Sequence, residues 1–356
     1  MPADMDAPGS DVSERLTARD RQVLKEIIHS FVVHGKPVSS RSVSRHGELD
    51  LSAASIRNVM SDLEEYGLLT QPHTSAGRVP TQAGYRLYVE NLMDRERLSL
   101  EERRYIEDHF DDVDGDELID VASELLSELS NQVGVVLTPS VGDTTLRSLD
   151  LVPVGEQRIM CVIVSSAGFV DTVSIQTDED LPRDELVRIA NYVTDQFAGL
   201  SLNEIRNRLV QLMAEERARV DRLLANAIDV ARRAVDQAHN PEVVVRGTRA
   251  LLDLPELADV ERVRQMLDTF TDTARLVGLL NLCLSSDGVR VFIGPETNLT
   301  SALDFSLVAA PYGIDARPMG SLGIIGPSRM EYPRAIALVH FLGQALSRAL
   351  AAYSRS

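Results

Sequence analysis

The stretch LSAASIRNVMSDLEEYGLLTQPHTSAGRVPTQAGYRLYV, residues 51–89, decides how the fold is read. Ile56, Val59, Met60 and Leu63 recur at three- and four-residue steps, the period of a helix with one apolar face. Ser52 precedes them as an N-cap, where a hydroxyl accepts from a backbone N–H that the first turn leaves unpaired. The opposite face carries Ala53, Ala54, Ser55, Arg57, Asn58 and Ser61. Short side chains let such a helix lie close in the major groove, and Ser, Arg and Asn can reach base edges or phosphates. An ordinary surface helix satisfies the same pattern, so the residues after Glu65 decide between the two. Two short strand-like runs, LLTQ and RVPT, flank a loop, and the helix QAGYRLYVENLM comes next. In a wing, Thr74 and Ser75 would donate hydroxyl hydrogen bonds to phosphate, Gly77 would let backbone approach backbone, and Arg78 would supply charge. The loop lacks the spacing and the lysine of a nucleotide-binding phosphate loop.

Upstream, Thr17 is a good N-cap for ARDRQVLKEIIHSFVVHG, whose Val23, Leu24, Ile27, Ile28 and Phe31 lie at helical spacing and which Gly35 ends. Ser39 caps a short second helix in KPVSSRSVSRHG. Three short helices, the last two joined by a tight turn, followed by two strands around a loop, read as a winged helix-turn-helix over residues 15–95. Residues 1–14 hold Pro, Gly, Asp and Ser without apolar periodicity and read as a disordered tail.

The charge distribution agrees with this division. The chain has 356 residues and a net charge of -18, which by itself argues against a polyanionic partner. Between Arg15 and Arg95, however, basic and acidic residues roughly balance, and the acidity belongs to the remainder. A near-neutral module on an acidic body suggests two tasks, of which the first can tolerate DNA. No apolar window is long enough for a membrane span, and the acidic, polar start is unlike a signal peptide, so the expected location is the cytoplasm.

After Arg95 a charged helical run and a helix at 116–131 lead to the strand candidates VGVVLTP, LRSLDLVPV, QRIMCVIVSS and GFVDTVSIQ. Short turns between them imply an antiparallel sheet. Residues 183–237 are helical in pattern, with Ile205, Leu209, Leu212, Val220 and Leu223 on one stripe. Such a stripe suits a homodimer interface, and a two-fold dimer would bind an inverted repeat of double-stranded DNA. A second apolar region, LVGLLNLCLSSDGVRVFIG through GSLGIIGPSRM, reads as strand-rich and precedes a last helix. Cys161 and Cys283, both in strand-like runs without CxxC spacing, read as core residues rather than zinc ligands or a disulfide. The glycine-rich segment Gly320–Ala335 could hold an anion at a helix start, although glycines more often only shape such connections. No catalytic motif is present, and His340, in an apolar helix, reads as packed. The expectation is a protein that is not an enzyme and has neither cofactor nor metal.

KPVSSRSVS together with residues 51–89 resembles the HrcA-type heat-inducible transcription repressors of bacteria. A second block, VRVFIGPETN and FSLVAAPYG through GIIGPSRMEYPRAIALV, resembles the same family's carboxy-terminal signature, with GPETN standing where Gly-x-Glu-Asn is expected. The resemblance implies an α+β chain: the winged domain, then a GAF-like antiparallel-sheet domain interrupted by an inserted, mainly helical dimerisation domain. The expected boundaries are 96–182 and 269–356 for the two GAF-like parts and 183–268 for the insertion. It also implies repression of chaperone operons and a GroEL-type chaperonin whose titration on heating releases the operator. Carried over by position, Ser55, Arg57 and Asn58, with Ser52 as their cap, fall on the recognition helix. Thr74, Ser75, Gly77 and Arg78 fall on the wing, and Ser39, Ser40 and Arg41 are candidate phosphate contacts. A regulator whose GAF-like domain senses a small molecule is the alternative.

Overall fold

A computed structural model of the chain describes residues 15–46, 49–74, 76–111, 113–115, 117–139, 145–155, 157–166, 170–178, 180–202, 242–253, 273–286, 288–297, 305–314 and 317–353, together with positions 12, 204, 205, 208, 229, 230 and 233. The expected tail lies outside these residues apart from Val12, as do Ser75, Leu209, Leu212, Val220 and Leu223.

The amino-terminal module begins with α1 (Ala18–His34). The Thr17 hydroxyl accepts from the Asp20 N–H at 3.2 Å, and the Asp20 carboxylate accepts from the Thr17 N–H at 2.9 Å. This reciprocal cap pairs two backbone donors that a helix start otherwise leaves open. Gly35, at φ 64°, ends α1 in the left-handed conformation that glycine adopts without strain. Next come α2 (Ser40–His46) and α3 (Ala53–Glu65), whose Ile56, Val59, Met60 and Leu63 are buried with Val23, Leu24, Ile27 and Ile28 of α1. Strand β1 (Leu69–Thr70) pairs antiparallel with β2 (Val79–Pro80), and α4 (Gln82–Leu87) follows, continued by a π-helical turn at Tyr88–Leu92.

The body is built on an antiparallel five-stranded sheet. In chain order its elements are α5 (Leu100–Asp108), α6 (Leu118–Ser130), β3 (Val133–Leu137) and, beyond a second unit, β7 (Val243–Arg246), α8 (Thr273–Leu284), β8 (Arg290–Ile293), β9 (Phe305–Ile314), β10 (Arg317–Pro327) and α9 (Tyr332–Tyr353). The strand order is β7-β3-β10-β9-β8. Alternation sorts the side chains: Val136, Val308, Ala310, Leu322 and Ile324 face α6 and α9, while Val135, Leu137, Leu307 and Ile325 face Leu276, Leu280 and Cys283 of α8. A sheet covered on both faces explains why β3 and β10 read as nearly continuous apolar runs. By length and composition α9 could cross a membrane, but Leu338, Val339, Leu342, Leu346 and Leu350 are buried on the sheet and on α6.

The second unit is a three-stranded antiparallel sheet, β4 (Leu146–Gly155), β5 (Arg158–Ser165) and β6 (Val170–Gln176), with α7 (Arg183–Phe197) across it. It has its own core, in which Leu149, Ile159, Cys161 and Ile175 meet Leu186, Ile189 and Val193.

Several expectations change. The four strand candidates do not share one sheet: β3 joins the large sheet and β4–β6 form the small one. The boundary expected between residues 182 and 183 therefore falls inside a packed unit, since α7 lies on β4. The run LVGLLNLCL is helix rather than strand, with Leu276, Leu279, Leu280 and Cys283 buried at helical spacing. His340 is exposed on α9 and sits 3.1 Å from the Gln344 amide, because it lies off the stripe that meets the sheet. Ile205 is 1% exposed within the small core, which assigns it to packing inside its own chain rather than to a dimer contact. The glycines of Gly320–Ala335 serve the sheet: a Cβ on Gly323 would stand 2.6 Å from the Val308 carbonyl oxygen.

Candidate nucleic-acid interface

Helix α3 is held by its apolar side and offers the other. The Ser52 hydroxyl accepts from the Ser55 N–H at 3.1 Å and donates to the Ser55 hydroxyl at 3.0 Å, so both serines organise the first turn. Past that cap, Ala54, Arg57, Asn58 and Ser61 are exposed. Arg41 of α2 is exposed as well, and neither it nor Arg57 joins an ion pair among the described residues. Ser39 is exposed and caps α2, accepting from the Ser42 N–H at 3.1 Å. Ser40 is buried at 6% exposure, so its side chain faces the module's interior rather than a partner.

The hairpin beside α3 is built from short-range restraints. Val38, just before α2, exchanges two backbone hydrogen bonds with Arg78, each 2.8 Å, which adds a third short strand segment next to β2. Gly77 lies against this pairing: a Cβ there would be 2.3 Å from the Val38 carbonyl oxygen, inside any allowed contact. Gln71 closes the loop from within, donating to the carbonyls of Thr74 at 3.0 Å and Ala76 at 2.9 Å. Pro72, His73 and Thr74 form the exposed tip.

Arg78 departs from expectation. Its Nη2 lies 2.8 Å from Glu64 Oε2, and its side chain is only 20% exposed. The guanidinium is spent on bracing the hairpin against the end of α3, not held out toward phosphate. The reason is proximity: the pairing of Arg78 with Val38 turns its side chain toward α3, where Glu64 supplies the opposite charge. Sequence reasoning missed Gln71, Val38 and Glu64 as organisers of this face. For Gln71 one sign was present, a side-chain amide at the foot of a glycine-containing loop. For the Val38 and Glu64 contacts nothing local signalled a partner so distant in sequence.

Among the described residues no cluster of His, Cys, Asp and Glu is arranged to hold a metal ion. Burial pushes the Cys161 thiol up to about 12 and the Cys283 thiol up to about 11, so neither is a nucleophile at neutral pH.

Residues 116–336 match the family model described as HrcA protein C terminal domain. The heat-inducible transcription repressor HrcA of Geobacter sulfurreducens is 36% identical over 343 residues, covering 96% of this chain and 99% of the relative. That of Xanthomonas campestris pv. campestris is 37% identical over 339 residues, covering 95% and 97%. A solved structure described only as a hypothetical protein at 2.2 Å resolution has the same fold, with a TM-score of 0.60, 24% identity, and coverage of 96% of this chain and 99% of that one. With a family match over more than half its length and relatives 36% and 37% identical along nearly all of it, the chain belongs to the HrcA family of heat-inducible transcription repressors.

Proposed function

We propose that the chain represses heat-inducible genes by binding an inverted-repeat operator as a homodimer. In this reading residues 15–95 are a winged helix-turn-helix, α3 enters the major groove, and the β1–β2 hairpin is the wing. The observation that carries it is the exposed polar face of α3, with Arg57 and Asn58 beside a hairpin that Glu64, Val38 and Gln71 hold in place. Arg57 and Asn58 read bases, while Arg41, Thr74 and Ser75 contact phosphate. Arg78 acts through the position it gives the hairpin. The five-stranded sheet with helices on both faces is the GAF-like body, and the unit containing β4–β6 and α7 is the insertion that dimerises.

Support for a partner on that unit comes from Val152, Val154 and Val170, which are 42%, 52% and 50% exposed on the small sheet. Leu209, Leu212, Val220 and Leu223 are the further contacts proposed from sequence. Leu209→Asp is expected to convert the dimer to a monomer, read by sedimentation velocity; a persisting dimer moves the interface away from that stripe. A GroEL-type chaperonin is the proposed partner that sustains the active repressor in the cytoplasm. Gel shifts of the purified protein on inverted-repeat DNA, with and without chaperonin, test the reading. Sequence-selective binding that chaperonin increases is expected; absence of sequence preference in both arms contradicts it.

A further inference from the structure

The segment GPETN, residues 294–298, stands apart from the face just described, yet Glu296 within it meets the amino-terminal module directly. Gly294–Thr297 forms a 3-10 turn after β8, closed by the buried Thr297 hydroxyl, which donates to the Gly294 carbonyl at 2.8 Å. Glu296 Oε2 accepts from the Ile293 N–H at 3.0 Å, which fixes the carboxylate on its own turn. The same oxygen accepts from Arg86 Nη2, and Oε1 accepts from Gln82 Nε2 at 3.2 Å. Gln82 also donates to the Ile293 carbonyl at 3.0 Å, and Arg86 Nη1 donates to the Val291 carbonyl at 3.0 Å.

Gln82 and Arg86 are four residues apart on α4 and so share one helical face. Their four hydrogen bonds join that face to the sheet's edge strand, two to carbonyls of β8 and two to Glu296 on the turn after it. Tyr85, between them, packs on Tyr332 at the start of α9 with ring centroids 5.9 Å apart. Helix α4 follows β2 with only Thr81 between, so whatever holds α4 also holds the hairpin and α3. A partly exposed ion pair such as Arg86–Glu296 contributes little to global stability. A guanidinium bridging a carboxylate and a carbonyl contributes direction, because its donors lie in a rigid plane.

We propose that Glu296, with Arg86 and Gln82, is a positioning clamp that fixes the angle of the DNA-binding module on the body and thereby sets the half-site spacing that the repressor accepts. This rests on the dimeric DNA-binding reading above. In a two-fold dimer each module reaches its half-site from a fixed body, so a rigid arm concentrates the second module at one spacing and a loose arm spreads it over several.

The test measures fluorescence anisotropy of full-length protein on a single half-site and on inverted repeats whose spacer is shortened or lengthened stepwise. The wild type is expected to favour one spacing. Glu296→Ala should keep half-site affinity within about twofold, lose about tenfold at the favoured spacing, and show a flattened profile across the series. Arg86→Met should do the same, and should add little in the Glu296→Ala background. Gln82→Ala removes two of the cross-unit bonds without removing a charge, and it is the variant of choice if Glu296→Ala loses half-site binding through misfolding. Variants that keep half-site affinity together with the full wild-type spacing profile overturn the clamp while leaving the repressor reading intact. A wild type that binds inverted repeats no better than half-sites overturns both.

Discussion

In the proposed reading, Arg57 and Arg78 separate the two ways in which a basic residue can serve DNA binding. Arg57 is exposed on α3 and free of ion pairs among the described residues, so Arg57→Ala is expected to cost about 1–3 kcal/mol on the operator and to relax selectivity at one base position. Anisotropy titrations against operators mutated one base pair at a time check this; a uniform loss with a smaller salt slope would make Arg57 a phosphate contact instead. Arg78 is turned in toward Glu64, and removing either partner releases the same brace. Arg78→Ala and Glu64→Gln should therefore weaken operator binding to a similar degree, and the operator titration of each variant compares them. A loss confined to Arg78→Ala would restore the direct phosphate contact. The sequence told much about which residues lie on this face and less about where they point. Ser52 as cap follows from a hydroxyl placed just before the apolar repeat and Arg57 as exposed from helical period, whereas the inward turn of Arg78 depends on Val38, forty residues earlier, and on Glu64 across the module.

Among elements, the hairpin is the most sharply constrained. Gly77→Ala would drive a methyl group into the Val38 carbonyl, and overpacking of this kind costs about 1–3 kcal/mol. The expected outcome is a lowered denaturation midpoint with weaker operator binding; an unaltered midpoint would mean that the Val38–Arg78 pairing yields easily. Helix α5 makes a pH prediction. Glu102 accepts from the Ser99 N–H at 2.8 Å and from Arg334 at 2.7 Å, and the backbone bond first, then the arginine, hold its carboxyl at about 2 against an ordinary 4.5. A carboxyl lowered by folding stabilises the protein above its unfolded value, and that contribution fades as pH falls from about 4.5 toward 2. Glu102→Gln should flatten the acid limb of a midpoint-versus-pH curve; an unchanged limb would show that the cap contributes nothing there. Most of these elements are readable from caps and periodicity. The exception, α8, reads as strand because its apolar run hides a helical repeat among leucines on several sides, and a run of that kind does not declare its period.

For the whole molecule, the separation into two body units is the feature that local pattern could not supply. Strand β3 (VGVVL) is apolar throughout and β4 (LRSLDLVPVG) alternates, which fits a sheet covered on both faces and one covered on a single face, but the pairing of β3 with β7 and β10 and of β4 with β5 is long-range. Each unit carries one buried cysteine, Cys161 in the small core and Cys283 in the large one, and burial holds both thiols protonated at neutral pH. Neither should react with a thiol reagent in the native protein. In rising denaturant Cys161 should label first, because the smaller core has less apolar surface to offset chain entropy. Mass mapping of labelled peptides checks the order, and simultaneous labelling would show that the body unfolds as one unit. Footprinting the purified protein on DNA upstream of chaperone genes asks directly whether α3 and the adjoining hairpin of two subunits grip a dyad-symmetric operator. Two protected half-sites related by a two-fold axis are expected, with protection lost in Arg57→Ala. Protection without dyad symmetry, or no protection distinct from random DNA, would contradict that grip.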